Sequence, residues 1–104
     1  MVGVAASAGI VEGTARVLHD VSEISSLRDG EILVVPVTAP SWAPVFAKIA
    51  AAVSDIGGAM SHAAIVAREY GMPAVVGCGD ATKRIRTGDR VRVDGDRGTV
   101  RVLE

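Results

Sequence analysis

The chain has 104 residues, 49% of them hydrophobic, with one each of Cys, Trp, Tyr and Phe and a net charge of -1. That length, read as a single unit over 1–104, gives one domain with a real core and no room for a second. The near-zero charge removes bulk attraction to nucleic acid or an anionic membrane. One cysteine closes no internal disulfide, and neither a leader nor a bilayer-spanning run is evident, so the cytoplasm is the expected compartment.

Gly3 to Ala8 and Gly9 to Val17 read as strands, the second alternating Ile10, Glu12, Thr14 and Arg16 against Val11, Gly13, Ala15 and Val17. Val21, Ile24 and Leu27 recur at helical spacing and predict a short helical turn over Asp20 to Leu27. Asp29-Gly30 then turns into Glu31 to Val37, where Ile32-Leu33-Val34-Val35 reads as buried strand. Ser41 is the expected N-cap of a helix that tolerates Pro44 in its first turn and carries Trp42, Val45, Phe46 and Ile49 on one face, after which Ala50 to Ser54 returns to the sheet. A helix opening at His62 follows, with Ser61 as N-cap, Ala63, Val66, Ala67 and Tyr70 on one face, and Gly71 and Pro73 to stop it. Strand Ala74 to Val76, a short helix near Asp80 to Arg84, and strands Arg90 to Val93 and Thr99 to Val102 around an Asp94-Gly95 turn complete an α/β pattern.

The most informative stretch is Gly57-Gly58-Ala59-Met60-Ser61-His62, which puts a histidine in the first turn of a helix behind a glycine pair. Unpaired N–H groups and aligned peptide dipoles make a helix N-terminus favourable for an anion such as phosphate. The same potential disfavours imidazolium and leaves a ring lone pair free to attack phosphorus. Gly57 and Gly58 lack a Cβ, so the loop can take positive φ and let a phosphoryl donor come close to the backbone. Ser61 and Ser54 offer hydroxyls to the imidazole or the phosphate, and Arg68, if turned toward the reacting end, offers a forked contact to offset phosphate charge. Taken alone, a histidine at a helix start is more often a surface or capping residue; its neighbours make the case for chemistry.

The run Gly57-Gly58-x-x-Ser61-His62-Ala63-Ala64-Ile65-Val66-Ala67-Arg68-Glu69, continued by Gly71-Met72-Pro73-Ala74-Val75-Val76-Gly77, resembles the signature of the phosphohistidine domain of the phosphoenolpyruvate-utilising enzymes. Ala6 to Gly13, Gly30 to Val34 and Val91 to Gly95 resemble that domain's opening segment, central strand and closing hairpin, while Val76 to Thr82 and Pro40 to Pro44 resemble the phosphoenolpyruvate synthase branch most. The resemblance implies a swivelling β/β/α domain in which His62 is phosphorylated, on Nε2, in a ping-pong cycle. It implies an ATP-grasp-type nucleotide-binding partner using ATP and Mg²⁺, a second partner that holds pyruvate or another acceptor, and no cofactor bound by this domain. By the same resemblance Ser54 stands where the family often has a threonine that orients the histidine. Met60 stands where it often has a threonine that a regulatory kinase modifies, and having no hydroxyl it reads as loop packing or a contact to a docking partner.

Two rival readings differ in class: a related phosphotransferase with a rifamycin or phenol acceptor, and a noncatalytic swivel or interaction module. The intact Gly-Gly-x-x-Ser-His run argues against the second. The chain reads as a domain of a longer enzyme or as a free-standing subunit. Cys78, between two glycines, reads as a small buried hydrophobe, His19 as a surface residue without metal-ligand neighbours, and Lys83, Arg84, Arg86, Arg90 and Arg92 as a solvated face.

Overall fold

The structure, a computed structural model, describes residues 1–103. Seven strands form one sheet: β1 (Val4–Ser7), β2 (Ile10–Val17), β3 (Ile32–Val35), β4 (Ala51–Ser54), β5 (Ala74–Val76), β6 (Arg90–Asp94) and β7 (Thr99–Val102), in the order β1-β5-β4-β3-β2-β6-β7. β2, β3, β4 and β5 are mutually parallel; β1 pairs antiparallel with β5, β6 antiparallel with β2, and β7 antiparallel with β6. The two helices are α1 (His62–Tyr70) and α2 (Ala81–Arg84), with 3-10 segments at Val21–Ser26 and Pro40–Ala47.

Strands β3, β4 and β5 are short and fully buried because both faces are covered, as parallel sheets require. Alternation sends Leu33, Val35, Ala52, Ala74 and Val76 to one core with Trp42, Phe46 and the alanines of α1. Ile32, Val34, Ala51, Val53 and Val75 go to the other, with Val91, Val93, Val100 and Ile85. Strands β6 and β7 reach that second core because the sheet curls until its edges meet. Val2 bridges Thr99, Gly3 N donates to Gly98 O at 2.8 Å, and Val100 N donates to Met1 O at 2.9 Å. Glycine is required at this seam: a Cβ on Gly95 would stand 1.9 Å from Ser7 O.

Two local expectations are corrected. The segment after β3 is a 3-10 helix whose N-cap is Ala39, not Ser41, because Pro40 with its fixed φ starts it, and Pro44 supplies no N–H for a continued α-helical ladder. Its apolar face is nevertheless the expected one, with Trp42, Val45, Phe46 and Ile49 buried. In α1 the buried stripe is Ala63, Ala64 and Ala67, while Tyr70 lies largely in solvent with its ring 6.5 Å from that of Phe46. Small residues let α1 lie close to the sheet. Gly71 ends it in the left-handed region at φ 70, with Met72 N donating to Ala67 O and Gly71 N to Arg68 O. No helix among the described residues is long and apolar enough to cross a membrane.

Candidate functional site

Because β3 and β4 are parallel, the loops leaving their C-terminal ends emerge side by side. The loop after β3 brings Thr38, and the loop after β4 brings His62 at the start of α1. Thr38 Oγ1 lies 2.9 Å from His62 Nδ1. The edge of the imidazole meets Phe46, with centroids 6.0 Å apart and planes at 79°. Thr38 is only 9% exposed, so its hydroxyl faces the ring rather than bulk water. The half-buried imidazole is thus fixed in both tilt and rotation. Nε2 has no protein hydrogen-bond partner among the described residues, and when Nδ1–H donates to Thr38 it is Nε2 that carries the lone pair.

Ser61 occupies the N-cap position with extended backbone, at φ -68 and ψ 161, but its hydroxyl does not cap the helix. Ser61 Oγ is buried without a hydrogen-bond partner, close to the imidazole-bearing turn. The first N–H groups of α1 likewise have no acceptor inside the helix. These groups together form a set of unsatisfied donors suited to an anion. Ser54 is 1% exposed and donates to Ile56 O at 3.0 Å, so it shapes the turn and does not touch the imidazole. The hydroxyl within hydrogen-bond distance of the imidazole is that of Thr38, not Ser54. Twenty-four positions separate Thr38 from His62, and only the pairing of β3 with β4 joins them. The available signal in the sequence was a polar residue just past a fully buried strand.

The two glycines of the loop differ. Gly57 needs its identity, with φ +142 and Ser61 Oγ 3.0 Å from where a Cβ would stand, whereas Gly58 has no positive φ and nothing within 4 Å of such a Cβ. The floor under Gly57 is Gly77, where a Cβ would stand 2.6 Å from Gly57 O. Cys78 N to Ser54 O and Gly79 N to Asp55 O tie the start of the loop to the exit of β5. Arg68 does not extend its fork into the site as a free cation. Its Nε donates to Ala6 O at 2.8 Å and its Nη2 to Ala59 O. Met60 is 79% exposed, which removes the loop-packing alternative for it. Burial pushes the Cys78 thiol up to about 11, assisted by Asp55 and Asp80, so it stays protonated near neutrality. Of the basic cluster, Arg92 pairs with Glu12 at 2.6 Å and Arg84 with Asp80 at 3.7 Å on the outside of the domain.

The family model of the mobile domain of PEP-utilising enzymes matches residues 27–98, a span that includes Thr38, Phe46, the glycine loop and His62. The chain belongs to this family. It is 50% identical over 103 residues to the rifampicin phosphotransferase of Streptomyces sviceus, covering 99% of this chain. It is also 50% identical over 101 residues to the phosphoenolpyruvate synthase of Aquifex aeolicus, covering 94% of this chain. In each case the aligned part is 12% of the relative's length, so this mobile domain corresponds to a small part of much longer enzymes. Equal identity does not divide the two branches. Among solved structures, an Enzyme I protein superimposes with TM-score 0.67 at 35% identity, over 77% of this chain and 33% of that one. The α/β phosphohistidine-domain fold implied by the resemblance is the fold observed.

Proposed function

We propose that this mobile domain is a phosphoryl carrier. His62 Nε2 takes a phosphoryl group from an ATP-grasp-type nucleotide-binding partner supplied with ATP and Mg²⁺, and passes it to pyruvate, or runs in reverse, in a phosphoenolpyruvate synthase-like enzyme. In loading, the Nε2 lone pair forms the N–P bond while the P–O bond to the nucleotide breaks and its electrons leave with the departing oxygen. Nδ1–H stays on Thr38 Oγ1 and steadies the positive charge that develops on the ring. The single observation carrying this reading is the 2.9 Å contact between Thr38 Oγ1 and His62 Nδ1, which commits one ring nitrogen and leaves the other free at the start of α1.

Covalent storage splits one transfer between distant substrates into two, each carried out where water is excluded. By itself the domain turns over nothing. The identity to rifampicin phosphotransferase supports a second reading, in which the same His62 serves a rifamycin acceptor held by a different partner domain. Incubation with the cognate nucleotide-binding domain, ATP and Mg²⁺ is expected to give an acid-labile, base-stable phosphate on His62, located by mass spectrometry. Label retained in His62→Ala sinks the assignment, and the parent polypeptide's second domain decides between the acceptors.

A further inference from the structure

Arg68 belongs to the last turn of α1, yet both of its contacts lie elsewhere. Helical side chains lean toward the N-terminus, and this one runs back along α1 to the loop that precedes it. Its Nη2 donates to Ala59 O, in the middle of the glycine loop, and its Nε donates to Ala6 O in β1. Ala6 is special in that strand. Ala5 pairs with Val75 and Ser7 with Ala74, so one extra residue interrupts the ladder there and Ala6 is left unpaired. Ala6 is 5% exposed, which leaves its carbonyl little access to water. One guanidinium therefore meets a buried bulge carbonyl and a loop carbonyl at once.

The loop has few other supports. Its first residue rests on Gly77, and Ser61 N donates to Gly58 O at 3.0 Å, but Ala59 and Met60 are exposed. We propose that Arg68 is a positioning residue whose fork staples Ala59 to the bulge at Ala6, holding the glycine loop in the one arrangement that presents the α1 donors to a phosphoryl group on His62. This rests on the phosphoryl-carrier reading of His62. The fork is what matters. A planar guanidinium sends donors toward two separated carbonyls, whereas a lysine has one nitrogen and satisfies one of them. Arg68 thus acts on the phosphoryl group through the backbone, not as its counterion.

The test begins on the unphosphorylated chain, with no nucleotide or partner present. In Arg68→Lys and Arg68→Met, amide hydrogen exchange at Ser61, whose N–H closes the loop turn, is expected to quicken about tenfold while Val34 and Val53 in the core hold their protection. Phosphoramidate then serves as donor: Nε2 bonds to phosphorus, the P–N bond breaks and ammonia leaves. Both variants are expected to load His62 about fivefold more slowly than the wild type, lysine doing no better than methionine. Lysine performing like arginine would mean that charge and not the fork is at work, and overturns the proposal. So does unchanged Ser61 exchange, or core amides that quicken along with it, which mark a general stabilising role. Wild-type chain that takes no phosphate on His62 sinks the carrier reading instead and leaves the exchange result standing.

Discussion

Replacing Thr38 with valine keeps the shape of the side chain and deletes the hydroxyl that stands 2.9 Å from His62 Nδ1. A neutral hydrogen bond of this kind contributes about 0.5–1.5 kcal/mol net, and a buried ring nitrogen left without a partner costs about 1–3 kcal/mol. Because the imidazole is half-buried, water reaches part of that deficit, and the lower end of the range applies to stability. The Phe46 contact survives, so the ring keeps its tilt and loses its rotational and tautomeric bias. If that bias is worth about 1.4 kcal/mol in the transition state, Thr38→Val is phosphorylated about tenfold more slowly. Thr38→Ser, which retains the hydroxyl, is expected to stay within about threefold of the wild type, the lost methyl costing only rotamer restriction. The assay is quenched-time-point mass spectrometry of His62 phosphate, paired with ¹⁵N spectra of the imidazole. A Thr38→Val protein with wild-type loading rate and an unchanged ring spectrum would refute the reasoning.

Three further outcomes follow from the packing and the charges. Gly95→Ala, whose Cβ meets Ser7 O at 1.9 Å, opens the seam of the sheet at a cost of about 3 kcal/mol and lowers the melting temperature by more than about 10 °C, whereas Gly58→Ala, with nothing within 4 Å, is neutral within about 0.5 kcal/mol. Burial pushes the Glu31 carboxyl up, but the Arg16 fork, the Arg28 N–H and both nearby cations outweigh it and hold the group below its ordinary value of 4.5. A depressed folded-state value contributes stability that is present above the ordinary value and is lost as acid protonates Glu31, so the fall in thermal stability from pH 6 to 3 is expected to be shallower in Glu31→Gln than in the wild type. Cys78, its thiol pushed up to about 11 by burial, is expected to resist iodoacetamide at pH 8 until the chain is unfolded, and rapid labelling of the native domain would contradict its place in the core.

Much of this architecture was legible because local signals agreed. The Ile32 to Val35 run, the Trp42 to Ile49 face, and the Gly71 stop each follow from spacing and backbone preference, and each is found. What was not legible depended on distance along the chain. Thr38 and His62 meet only through parallel pairing, Gly77 supports Gly57 only because β5 lies beside β4, and the two edges of the sheet close only through its curl. Ser54 illustrates the difference: its hydroxyl is of the type expected for an orienting group, but at the buried end of β4 it donates its hydrogen bond to Ile56 O. Residue type identifies who can do the chemistry, and register decides who does.

On the proposed carrier reading, a domain that meets two partners in turn must show both the same reactive geometry. The contacts on the imidazole and on the loop before it come from within this domain: Thr38 on Nδ1, Phe46 against the ring, Gly77 beneath Gly57 and Arg68 on Ala59 O. On that reading none of them has to be remade between one partner and the next, so orientation would be a fixed property of the domain and each partner would need only to supply its substrate and exclude water. The same reading accounts for the combination of a His62 held by Thr38 and Phe46 with an exposed Met60 and an open Gly58 before it, which would leave the loop clear for an approaching partner.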